Sequence, residues 1–149
     1  MGYIPSEHPL ASKQELVADD LDLQEVLLLQ DGHCFRDNIL NLCGMNAQDT
    51  PRKFTIESGS FETLVQLADE RMGMTLLPYL HTLALNENQK KGLKHFEKPE
   101  PAREISLIYP KSELKIQITQ ALKEVISSVI RGAISFHDVR IVSPKQKVR

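Results

Sequence analysis

The chain has 149 residues, 41% of them apolar and 26% charged, with a net charge of −2. That is one domain's worth of chain, too apolar for disorder, and no apolar run approaches the ~20 residues of a membrane span. The near-neutral charge and the absence of Trp argue against a chain that grips nucleic acid by itself, and two cysteines are too few for a secreted disulfide scaffold.

The first twenty residues read as an extended, turn-rich approach, as if the chain joined a domain midway. They lack the basic end and apolar stretch of a signal peptide, which points to a cytoplasmic protein. VLLLQ (26–30) is a continuous apolar run and predicts a strand buried on both faces. Asp31-Gly32 punctuates, and a helix is expected from about His33 to Met45. KFTIE (53–57) alternates and reads as a strand. Ser58-Gly59-Ser60 reads as a turn, with Ser60 as N-cap of a helix whose face holds Phe61, Leu64, Val65, Ala68 and Met72. Gly73 is expected as its C-cap.

MTLLP (74–78) predicts another short buried strand. Tyr79 to Leu85 reads as a helical turn, and 86–94 as an exposed helix or loop. The two prolines of HFEKPEPAR (95–103) suggest an extended crossing segment. ISLIY (105–109) reads as a third buried strand. Ser112 is placed to cap a long helix with Ile118, Leu122, Val125, Ile126, Val129 and Ile130 on one face, packed on the sheet and ended by Gly132. The tail from Val139 to Arg149 has no periodic pattern and is expected to fray. Strands alternating with helices define an α/β domain with a mainly parallel sheet.

Cys34 and Cys43 are nine residues apart within one predicted helix. Nine helical residues advance roughly 13.5 Å and turn roughly 900°, so the thiols fall on opposite faces. A disulfide needs Cα atoms about 4.4–6.8 Å apart, so bridging requires the helix to unwind. Cys34 lies in the first helical turn, where free backbone N–H groups and the helix dipole favour a thiolate. His33 and Arg36 can add positive charge, and Asp37 can orient Arg36 or receive a proton. Cys43 sits among Ile39, Leu40, Leu42 and Met45 and reads as the more buried thiol. These are the surroundings expected of a first-oxidised Cys34 and a resolving Cys43. On spacing alone, two inert core cysteines are the plainer reading. A zinc site lacks ligand spacing, and a thiol peroxidase lacks a Thr-led nucleophile motif, so no metal or cofactor is expected.

HPLA (8–11), Asp20-Leu21 and VLLLQDGHC (26–34) closely resemble the effector-binding domain of LysR-type transcriptional regulators. SGSFETLVQLADERMGMTLLPYL (58–80) is similar to that family's S-x-E-T-L…G-x-G-[IM]-T-L-L-P signature. REISLIYPKSELKIQITQAL (103–122) resembles its returning strand and C-terminal helix. Within the family, DGHCFRDNILNLC (31–43) is similar to the redox segment of the hydrogen-peroxide-sensing activators, in both cysteines and in His33, Arg36 and Asp37.

The resemblance implies a periplasmic-binding-protein-like α/β architecture, with two subdomains joined by crossing strands. Residues 1–134 would be part of that domain and 135–149 a tail. About 9–98 would form the second subdomain, and Arg103 to Ile134 the last strand and helix of the first. The family's winged helix-turn-helix would be absent, so DNA would be reached only through that absent domain. The resemblance further implies a non-enzymatic bacterial activator, a homodimer or homotetramer, that responds to hydrogen peroxide. It would contact RNA polymerase in the full-length protein and be reset by a thiol-disulfide reductant. A LysR effector domain that binds a small organic ligand, with structural cysteines, is the alternative. Ser60, Thr63, Gly73, Thr75 and Arg103 are candidates for its cleft, because helix N-termini favour anions. N-capping by Ser60 and a surface ion pair for Arg103 are the plainer fates. His8, His81, His95 and His137 are expected on surfaces or loops. Arg71-Met72-Gly73 stands where the family has Gly-x-Gly, which reads as tolerated variation at a helix end.

Overall fold

The computed structural model describes residues 1–44, 57–110, 115–134 and 139–142. In chain order the strands are β1 (Gly2–Tyr3), β2 (Glu15–Leu16), β3 (Val26–Leu29), β4 (Glu57–Ser58), β5 (Met74–Leu76), β6 (Leu93–Phe96), β7 (Glu100–Ala102) and β8 (Val139–Ile141). The helices are α1 (Cys34–Leu42), α2 (Phe61–Asp69), α3 (Tyr79–Thr82), α4 (Glu87–Lys90) and α5 (Ile116–Ala133).

β3 organises the core because all four of its residues are apolar and buried. Successive side chains alternate across a sheet. Val26 and Leu28 pack in one cluster with Ile39 and Leu40 of α1. Leu27 and Leu29 pack in the other, with Leu64, Val65 and Ala68 of α2. The continuous run therefore forms a strand covered on both faces, as its sequence predicts. The main sheet has the order β2-β6-β1-β5-β3-β4. β3 pairs in parallel with β4 and β5, and β2 in parallel with β6. β1 runs antiparallel to both neighbours, β5 and β6, which the sequence did not signal. Tyr3 of β1 is buried, and its hydroxyl donates to Asp69. Burial, aided by the Asp69 hydrogen bond and charge, pushes its phenol well above the usual tyrosine value.

Ser60 caps α2 as expected, its hydroxyl accepting from the Thr63 N–H at 3.2 Å. The far end of α2 corrects the expectation for Gly73. The helix ends at Asp69, and the residue that turns left-handed is Arg71, at φ 65°. Met72, expected on the buried face, lies beyond the helix and is exposed. Gly73 instead opens β5 at φ 147° and packs against the Glu25 carbonyl. An L-residue in the left-handed region carries a cost of roughly 1–2 kcal/mol that glycine avoids. Arg71 also forms an exposed ion pair with Glu7, worth about 0–1 kcal/mol. Arg71→Gly should therefore leave stability unchanged or raise it by about 1 kcal/mol in urea unfolding, whereas Arg71→Val should lower it.

Four expectations for the C-terminal third are corrected. Residues 105–109 form no strand, and Ile105 and Ile108 are 67% and 90% exposed. Among the described residues no strand lies beside this segment to supply ladder partners, so its apolar pattern has nothing to pack on. α5 forms where periodicity predicts, but it buries no residue, so its apolar face is not packed on the sheet. Gly132 lies inside the helix, and Ile134 is its C-cap. The tail is ordered at 139–141, where β8 pairs in parallel with β7 in a separate two-stranded sheet. The 53–56 part of the predicted KFTIE strand, Ser112 and His137 lie outside the described residues.

Candidate redox site

α1 begins directly at Cys34. His33 is its N-cap, and the ring Nδ1 accepts from the Phe35 N–H at 3.3 Å. Cys34 is thus the first helical residue, and it is exposed. The first N–H groups of a helix have no intrahelical acceptor, so the sulfur sits at the positive end of the backbone dipole. Cys43 is the C-cap at the other end, half-buried and packed against the core cluster beside α1. Its N–H still closes the last turn on Ile39 O at 3.0 Å. Gly44, left-handed at φ 68°, ends the helix. Both cysteines are in the thiol form, with the nine residues of α1 spanning Cys34 to Leu42.

Arg36 is buried and turned inward. Its Nη1 donates to Leu29 O at 2.9 Å, and its Nε pairs with Asp31 at 2.9 Å. It clamps the start of α1 to the end of β3. Among the described residues its carboxylate partner is Asp31 rather than the expected Asp37, which is exposed. A different cation reaches the reactive end. Arg103, just past β7, places Nη1 4.0 Å from Cys34 Sγ. Its guanidinium carbon also lies 5.5 Å from the centre of the Phe35 ring. The structure thus brings Arg103 to Cys34 and its neighbour His33, across 69 residues of sequence between Cys34 and Arg103.

The other cleft candidates divide. Ser60 and Thr63 are engaged in capping α2, with their hydroxyls 3.2 Å apart. Thr75 is not in a cleft: it is fully buried in β5, and its hydroxyl donates to Leu27 O at 3.1 Å. Gly73 is taken up by its backbone packing against Glu25.

Residues whose place at this site the sequence reading missed pack around His33 and Phe35. Phe61 meets Phe35 edge-on at 5.2 Å between centroids and His33 at 6.0 Å. His81 packs on Phe61 at 4.9 Å and lies 3.5 Å from Glu62. It is a half-buried buttress rather than a loop residue. Glu62's own backbone N–H, then the Ser60 hydroxyl, and to a lesser degree His81, hold its carboxyl below the usual range. The sequence signal for this aromatic cluster was slight: Phe35 and Phe61 in the first turns of α1 and α2. His8 is likewise engaged, accepting from the Leu10 N–H and lying 3.0 Å from Glu25, and His95 lies 3.6 Å from Glu100.

A mixed sheet covered by α1 on one face and α2 on the other, with Phe35 and Phe61 in contact at the starts of the two helices and Cys34 exposed, is an α/β domain of the kind found in effector-binding regulatory modules. Residues 2–131 match the LysR substrate binding domain, and the chain belongs to that family. It is 33% identical over 135 residues to a hydrogen peroxide-inducible genes activator of Haemophilus influenzae, covering 87% of this chain and 44% of that protein. It is 34% identical over 132 residues to the DNA-binding transcriptional dual regulator OxyR of Escherichia coli, covering 87% of this chain and 42% of that protein. The chain therefore spans less than half the length of these relatives. Among solved structures it resembles an OxyR mutant from Porphyromonas gingivalis, with a TM-score of 0.69 and 25% identity over 95% of this chain and 63% of that one. It also resembles a reduced form of OxyR, with a TM-score of 0.67 and 29% identity over 90% of this chain and 61% of that one. No helix among the described residues is long and apolar enough to cross a membrane.

Proposed function

We propose that this chain is regulatory-domain sequence of a bacterial, peroxide-responsive LysR-type activator, and that Cys34 and Cys43 are its switch. The relatives named for hydrogen peroxide induction support the class, and none of those reported is named as an enzyme. The observation that carries the mechanism is the exposed Cys34 sulfur at the start of α1 with the Arg103 guanidinium 4.0 Å away.

Cys34 thiolate attacks one oxygen of hydrogen peroxide. The S–O bond forms, the O–O bond breaks, and hydroxide leaves, which a proton converts to water. The Cys43 sulfur then displaces the sulfenic hydroxyl as a second water, giving the disulfide. Two thiols have lost two hydrogens, and peroxide has become two waters. An exogenous thiol-disulfide reductant restores both thiols by exchange. In the complete regulator, a homodimer or homotetramer, the change in α1 would alter subunit packing. DNA would be contacted through sequence outside this chain, and the new packing would favour contact with RNA polymerase.

One equivalent of hydrogen peroxide should remove two hydrogens from the intact mass, and peptide mapping should link Cys34 to Cys43. Cys34→Ser should abolish the reaction, and Cys43→Ser should trap the sulfenic acid. Thiols that ignore stoichiometric peroxide would overturn the switch and leave a family member that senses a small organic ligand.

A further inference from the structure

We propose that Phe35 is a positioning residue for Arg103, holding its guanidinium beside the Cys34 sulfur. The inference builds on the reading of Cys34 as the reactive thiol. Arg103 is exposed and arrives from a segment distant in sequence, just past β7. A free arginine has many rotamers, and fixing one by a single contact with sulfur at 4.0 Å is weak. Phe35 supplies a second contact, since Arg103 lies over its ring at 5.5 Å. The negative face of an aromatic ring attracts a guanidinium, and the planar group stacks on it.

The ring itself is fixed from behind. Phe35 is half-buried and packs against both core clusters. Phe61 meets it edge-on, and His81 meets Phe61 in turn. Phe35 is also the residue next to Cys34 on α1, so ring and sulfur move as one unit. Arg103 is then bound to that unit at two points, and its charge stays beside the sulfur.

The test reads Cys34 with iodoacetamide in the full chain. The Cys34 thiolate forms an S–C bond and iodide leaves, and peptide mapping scores modification at Cys34 alone. Phe35→Leu keeps apolar bulk but removes the ring face. It should slow modification at neutral pH by about three- to tenfold and move the pH profile upward. Phe35→Tyr should restore both rate and profile. In an Arg103→Ala background, Phe35→Leu should add nothing, because the group it positions is gone.

An unchanged rate and profile in Phe35→Leu would overturn the proposal. So would an effect of equal size in the Arg103→Ala background, which would mark a purely structural role. Should Phe35→Leu fold poorly, Phe61→Leu loosens the same ring from behind and should give a smaller slowing of the same sign. A thiol inert to peroxide, but with alkylation governed by Phe35 and Arg103, would sink the peroxide reading and leave the positioning role standing.

Discussion

Oxidation of this protein by one equivalent of hydrogen peroxide should unwind α1. The helix spans Cys34 to Leu42, with Cys43 as its C-cap. Nine helical steps separate the two Cα atoms by roughly 13.5 Å, against about 4.4–6.8 Å in a disulfide. No side-chain rotation closes such a gap, so the backbone between the thiols must change. The far-UV circular dichroism signal at 222 nm should fall by about the contribution of the nine residues of α1. The change has an energetic consequence. Ile39 and Leu40 are 3% and 6% exposed, and both pack against β3 through the core cluster on that face. Drawing either side chain into water forfeits about 1.5–3 kcal/mol. Arg36 would be pulled from Leu29 O and Asp31, which it now ties to the helix start. The oxidised protein should accordingly melt several degrees below the reduced one. Cys43→Ser treated in the same way should carry a sulfenic acid with α1 intact and no change at 222 nm. A fully formed Cys34–Cys43 disulfide with an unchanged spectrum would refute the coupling.

Gly73→Ala should be among the most damaging single substitutions in the chain. Gly73 has φ 147°, a conformation that L-residues rarely adopt. A Cβ there would meet the Glu25 carbonyl oxygen well inside van der Waals contact and press on Leu27. The same carbonyl accepts the Met74 N–H at 2.8 Å, at the start of the β3–β5 ladder. Relief would therefore have to come from the centre of the main sheet, where Met74 and Leu28 are 0% exposed. Backbone strain and overpacking of this kind cost about 3–5 kcal/mol together, a large share of the stability of a domain this size. Urea unfolding of the reduced protein should show that loss as a lower midpoint. A change under 1 kcal/mol would mean that the loop before β5 relaxes without disturbing the sheet.

The contrast between Arg71 and Gly73 shows what could be read from the chain and what could not. A glycine after an amphipathic helix is a fair signal of a left-handed C-cap, yet Arg71 takes that conformation and Gly73 serves a close backbone approach. Which residue turns is decided by where the helix must stop for β5 to reach β3, and that is a tertiary requirement. The helix of α5 shows the complementary case. Its periodicity specified the secondary structure, but whether its apolar face is covered depends on a neighbouring surface that local pattern cannot supply.

From sequence alone came the doubly covered strand β3, the Ser60 cap, the family, and the separation that keeps Cys34 and Cys43 apart on an intact helix. The family came from the resemblance of its motifs; the rest follow from local periods and spacings, which covalent geometry converts directly into structure. The cation at the reactive sulfur was decided only in three dimensions. Arg36, two residues from Cys34, is drawn inward because a buried guanidinium must satisfy its donors, and Leu29 O and Asp31 lie within reach. Arg103, 69 residues away, takes the place beside the thiol because the chain past β7 passes that end of α1 and the Phe35 ring meets it there.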